Sequence, residues 1–164
     1  MPLGSILTEA ILGVAAIIVA SVFAGAYFMG VNQITEAEQL HVNWLKDRLS
    51  HDCMILYVKA SADSDTVTIW VKNTGERALP RDLIEKSELM IISSSQVRYL
   101  LYGSGPGAWS YVLLNDVDSD GRWDRGETIR IDVSLNSTLG REDYQAVFIL
   151  YNGVKCSLDF TPYS

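Results

Sequence analysis

The residues whose spacing could support chemistry lie in one run, Asp116-Val117-Asp118-Ser119-Asp120-Gly121-Arg122-Trp123-Asp124-Arg125-Gly126-Glu127. Oxygen-bearing groups stand at positions 1, 3, 5, 9 and 12 of this twelve-residue stretch, glycine at position 6 permits a sharp turn, and an apolar residue fills position 8. Carboxylates this close repel one another, and a cation that accepts about six to eight oxygens removes the repulsion. The run predicts a structural calcium loop, with Asp116, Asp118, Asp120, the Arg122 carbonyl, Asp124 and a bidentate Glu127 as ligands. Without an ion the same residues read as a solvated acidic turn. Because the flanks read as strands, the ion would pin a long connection between them and would not work a helical switch.

Three further features could carry covalent chemistry. Cys53 begins the first strand-like run and Cys156 lies in the last, so an oxidising location predicts a disulfide between them, the alternative being two buried thiols. A loop of order 100 residues closed this way stabilises by about 4 to 5 kcal/mol in the chain-entropy model. Asn136-Ser137-Thr138 is an acceptor sequence for N-glycosylation. The only histidines, His41 and His51, have no partner arrangement for a nucleophile and base, so no catalytic residue and no enzyme is expected.

These features need a scaffold, and the 164-residue chain has room for one helix and one domain, at residues 1–50 and 51–164. A net charge of -7, with no cluster of Lys and Arg to neutralise phosphates, argues against nucleic acid as a partner. From Cys53 onward, eight short β-type runs alternate with turn signals such as Asn73-Thr74-Gly75, Gly103 to Gly107 and Asn152-Gly153. They predict an α+β chain whose second part is an antiparallel β-sandwich of about eight strands, with a hairpin at Asn152-Gly153. The Gly103 to Gly107 segment reads as a plain connection.

The first part is apolar on every side. No side chain from Ala10 to Thr35 carries a formal charge, and roughly 20 such residues cross a bilayer core of about 30 Å. The run exceeds a signal-peptide core and lacks its basic flank, so a retained transmembrane-type helix is expected; the acidic remainder, with its two cysteines and the acceptor sequence at Asn136, fits a domain outside and hence an N-terminus inside. Ser5 and Thr8 would mark its start, with Glu9 near the positive end of the dipole. Gly13, Ala16, Ala20 and Ala24 recur at spacings suited to close helix packing. An amphipathic continuation through Ile34, Ala37, His41, Trp44, Leu45 and Leu49 would face its own domain or a neighbour.

Two segments resemble a known family. Ser5-Ile6-Leu7-Thr8-Glu9-Ala10-Ile11-Leu12 with Ala20-Ser21-Val22-Phe23-Ala24-Gly25, and Ile69-Trp70-Val71-Lys72-Asn73-Thr74-Gly75, are similar to the archaeal flagellin (archaellin) superfamily, most of all to the G-type accessory proteins of the flagellar motor. The resemblance implies a membrane-anchored, stator-like part whose outer domain meets an F-type accessory protein or the surface layer. Its rival is a filament subunit of an archaeal flagellum or type IV-like pilus, packed against identical subunits. Cutting after Gly4 would then expose Ser5 as the new N-terminus, with Glu9 able to pair with a neighbour's α-amino group. Met1-Pro2-Leu3-Gly4 lacks the Lys or Arg usual before such a cut.

Overall fold

The computed structural model describes residues Leu3–Tyr163, without side chains for residues 3–7, 33, 35–37, 40 and 41. One long helix, α1 (Leu3–Ser50), precedes eight strands and one short helix. The strands are β1 (Cys53–Ala60), β2 (Thr66–Asn73), β3 (Glu88–Ser93), β4 (Val97–Tyr102), β5 (Ala108–Leu113), β6 (Thr128–Ser134), β7 (Tyr144–Ile149) and β8 (Lys155–Phe160). Helix α2 (Arg81–Ile84) lies between β2 and β3. Every β-type run of the sequence became a strand.

Helix α1 includes Leu3, ahead of Ser5 and Thr8, so neither marks its start; the side chain of Ser5 lies outside the described residues, as do the side chains of Ala37 and His41 and residues Met1 and Pro2. Its stretch Thr8–Asn32 contains 25 residues, or about 37 Å of helix, long enough to cross a membrane. Ile17, Phe23 and Met29 are exposed along it. The chain divides into two compact units between Leu45 and Lys46, so the last turn of α1 belongs with the strands.

The strands form one sheet in the order β1-β2-β6-β5-β4-β3-β7-β8. All neighbours are antiparallel except β4 and β5, which run parallel and pair only at Leu101↔Ala108 and Tyr102↔Trp109. The purely antiparallel expectation is corrected at this one place. A full parallel pair needs a crossover of about a dozen residues, and the five between Tyr102 and Ala108 let β5 begin only where β4 ends. Gly105 and Gly107 supply the positive φ values, 99° and 80°, of that tight connection.

The sheet curls until its edges meet, nearly into a barrel. Cys53 at the start of β1 and Cys156 in β8 form a disulfide with Cα atoms 5.6 Å apart. At the other end Ala62 N–H donates to Tyr163 O (2.7 Å) and Tyr163 N–H to Ala60 O (3.1 Å). Between the disulfide and this bridge, β1 and β8 lie at the two ends of the strand order without a hydrogen-bonded ladder joining them. The alternating apolar residues of both halves then share one core, in which Trp109 of β5 meets Phe148 of β7 edge to face at 5.6 Å. The predicted hairpin joins β7 to β8, with Gly153 at φ 81°.

Candidate calcium loop and helix exit

The acidic run forms the connection between β5 and β6, and its carboxylates converge. Oxygens of Asp116, Asp118 and Asp120 lie within 4.8 Å of one another, and so do those of Asp118, Asp124 and Glu127. Asp118 belongs to both groups. The backbone explains the convergence: Ser119 and Gly121 take positive φ values of 59° and 74°, turning the chain back on itself. Gly121 N–H donates to Asp116 Oδ2 (3.0 Å) and Arg122 N–H to Asp120 Oδ1 (2.8 Å). Glu127 closes the loop, accepting from Val117 N–H on Oε1 and Asp124 N–H on Oε2, each at 2.9 Å.

This donor set fits a hard divalent cation. Glu127 is only 4% exposed and holds both oxygens at the loop's centre. Asp116 Oδ1 is buried and has no hydrogen-bond partner among the described residues. The carboxyl of Asp124 is pushed above its usual range, first by burial and then by the charges of Asp120, Asp118 and Glu127, with Arg122 opposing. A cation would relieve each of these strains in the charge distribution.

The loop is tied to the domain by Trp123 and Asn73. Trp123 is fully buried, donates from Nε1 to Glu127 O (2.9 Å) and exchanges backbone bonds with Leu79. Asn73, at the end of β2, is also fully buried. Its Nδ2 donates to Trp123 O (2.8 Å) and Arg77 O (3.0 Å), and its Oδ1 accepts from Gly75 N–H (2.9 Å). Its backbone carbonyl accepts from Gly126 N–H and its own N–H donates to Glu127 O.

On the other side of Asn73 the same turn grips the end of α1. Thr74 and Gly75 donate backbone N–H groups to Asp52 O, while Glu76 and Arg77 donate to Ser50 O. The Ser50 carbonyl is one that a helix leaves without a partner at its C-terminal end. Gly75 permits the contact, since a Cβ there would stand 2.5 Å from Asp52 N and 2.8 Å from Ser50 O. The last helical turn adds Asp47, whose carboxylate receives the Tyr151 hydroxyl at 2.8 Å and pairs with Arg77 at 3.5 Å. Burial and the Asp47 carboxylate push the Tyr151 hydroxyl up to about 12. Buried His51 donates from Nδ1 to Asp47 O at 2.7 Å and packs edge-on against Tyr151.

Sequence reasoning identified the acidic run and both cysteines but not this second cluster. Asp47 and His51 stand four apart where α1 ends, a signal that was legible, whereas Tyr151 was read only as a strand end. Asn136 sits on the exposed turn after β6. Glu9, Gly13, Ala16, Ala20 and Ala24 fall within an arc of about 80° on α1 and are all exposed, with open space around Gly13. Ile34, Trp44, Leu45 and Leu49 are exposed as well.

These elements define a class: a helix of membrane-crossing length whose last turn is bonded into a disulfide-closed β-domain. The sequence model of the archaeal-type flagellin family matches residues 4–160. The chain belongs to that family, whose members are structural and not enzymes. An uncharacterized protein of Archaeoglobus fulgidus is 32% identical over 117 residues, 69% of this chain and 70% of that one. The fold is similar to the archaellum periplasmic stator protein FlaG from Sulfolobus acidocaldarius, with TM-score 0.55 and 20% identity over 67% of this chain and 99% of that one. It is equally similar to a chain in the complex of FlaF and FlaG from the same organism, with TM-score 0.54 and 21% identity over 66% and 88% of the two chains.

Proposed function

We propose that this chain is a membrane-anchored structural component of the archaellum with a stator-like role. Helix α1 lies in the membrane with its N-terminus inside, and the β-domain stands outside against an F-type accessory protein or the surface layer. The observation that carries the reading is the helix exit. A part that resists torque must pass load from its anchor to its outer domain, and here the end of the helix is held by bonds from Ser50, Asp52 and Asp47 to two separate segments, the 74–77 turn and Tyr151 after β7. Support comes also from the likeness to solved stator domains.

The rival reading, a filament subunit, draws on the exposed small-residue face of α1 behind Glu9 and on a family match that begins at residue 4. Mass spectrometry of the N-terminus of the cellular protein separates the two. An intact Met1 or Pro2, with the chain absent from sheared filaments, is expected of the anchor; a chain beginning at Ser5 and running along the filament would refute it.

We propose further that residues 116–127 bind one structural calcium ion through Asp116, Asp118, Asp120, the Arg122 carbonyl, Asp124 and Glu127. The ion would neutralise the convergent carboxylates and stiffen the loop that Asn73 connects to the helix exit. Titration calorimetry after chelator treatment tests it, and the absence of both heat and thermal shift on adding calcium would end the proposal.

A further inference from the structure

Strand β4 has an open edge. In its ladder with β3, Ser93 N–H donates to Gln96 O at 2.9 Å, which fixes the alternation. Arg98 and Leu100 therefore face β3 through hydrogen bonds, while Val97, Tyr99 and Leu101 turn their backbone groups the other way. Leu101 N–H finds Gly107 O, and pairing with β5 begins only there. Val97 and Tyr99 have no backbone partner on that side among the described residues. Their side chains are 62% and 48% exposed. Such an edge, apolar and unpaired, is a template for association with other chains.

Across a groove of about 280 Å³ from this edge lies the turn 135–137. It carries the acceptor sequence Asn136-Ser137-Thr138, exposed at all three residues. Arg98 of β4 holds the turn in place, donating from Nη1 to Ser137 O (2.7 Å) and from Nη2 to Thr138 O (3.1 Å). Its Nε is buried without a partner among the described residues. Gly107 leaves room for the acceptor amide, because a Cβ there would stand 2.8 Å from Asn136 Nδ2.

We propose that Asn136 carries an N-linked glycan whose first sugars occupy this groove and cap the open edge of β4. The inference rests on the outward placement of the domain. The donor is an oligosaccharide linked to an isoprenoid phosphate. Asn136 Nδ2 forms a bond to the anomeric carbon, the bond from that carbon to the phosphate oxygen breaks, the phosphate leaves with the electron pair, and it takes the proton lost from Nδ2. Sugar hydroxyls then meet the free backbone groups of Val97 and Tyr99, the Tyr99 ring offers an apolar face, and the hydrophilic bulk blocks a second strand.

Glycopeptide mass spectrometry of the full chain purified from its own membranes tests the site. Added oligosaccharide mass at Asn136 is expected, and a bare Asn136 overturns the proposal. The Cys53 and Cys156 oxidation state, read in the same sample before reduction, tells whether outward placement falls with it: oxidised cysteines leave that reading standing, free thiols remove both. Hydrogen exchange tests the groove. The Val97 and Tyr99 amides should exchange about tenfold faster in both Asn136→Gln and Thr138→Ala than in the glycosylated parent. Thr138→Ala removes the acceptor sequence but keeps the Asn136 amide, so unchanged exchange in Thr138→Ala refutes capping by the glycan.

Discussion

Asn73→Ala probes the connection between the acidic loop and the helix exit. Three side-chain hydrogen bonds disappear, to Trp123 O, Arg77 O and Gly75 N–H. Two of the stranded groups keep another partner, since Trp123 O still accepts from Leu79 N–H and Gly75 N–H still donates to Asp52 O, each at 3.1 Å. Losing those two bonds costs about 1 kcal/mol each, and the part-buried bond to the Arg77 carbonyl, which solvent can reach, about 1 kcal/mol more. The sum is about 3 kcal/mol. For a domain of this size, at about 4 °C per kcal/mol, the melting temperature should fall by about 12 °C. Thermal unfolding of the full chain in detergent, followed by the fluorescence of buried Trp109 and Trp123, reads the change. Hydrogen exchange supplies the local readout: the amides of Glu76, Arg77 and Gly126 should open sooner, and those of the β7–β8 hairpin should follow only global stability. A loss below about 1 kcal/mol, or equal acceleration everywhere, would refute the role assigned to Asn73.

Other perturbations address neighbouring parts of the structure. Reducing the Cys53–Cys156 bond, or replacing both residues by serine, frees a loop with a sequence separation of 103; denaturant titration should show about 4 to 5 kcal/mol less stability. Gly75→Ala forces a Cβ onto Asp52 and Ser50, so exchange at residues 46–53 should accelerate while the β3–β7 ladder stays protected. Asp118 lies in both carboxylate groups, and Asp118→Asn should weaken calcium binding by at least about tenfold in calorimetry with little change in metal-free stability. The pH dependence has a definite sign. Asp124 titrates above its usual range in the folded chain, so without cation its contribution to stability is present below the ordinary carboxylate pKa and is lost as pH rises through the raised value. On the proposed binding, calcium would take the place of that proton, and the thermal shift it produces should be large at neutral pH and vanish in acid.

Local patterns were legible because local physics sets them. Alternation of apolar residues with Gly- and Asn-rich turns marked all eight strands, and Asn152-Gly153 marked its hairpin, since side-chain period and turn chemistry act over a few residues. An uncharged run in α1 identified a helix that needs apolar surroundings. The spacing from Asp116 to Glu127 brought its carboxylates together, as a short loop with a glycine turn must.

What the sequence left open is the work of long-range pairing. Nothing near Leu101 or Ala108 announces that β4 and β5 run parallel, because the order of strands is chosen by how two apolar faces close over one core. That closure brought Cys53 to Cys156, set Asn136 against the open edge of β4, and placed Tyr151 on Asp47 over a separation of 104 residues. Residue types told which groups could bind a cation, a sugar or another cysteine. Only the folded sheet, by joining its own edges, decided that Asn73 would stand between the acidic loop and the end of the helix.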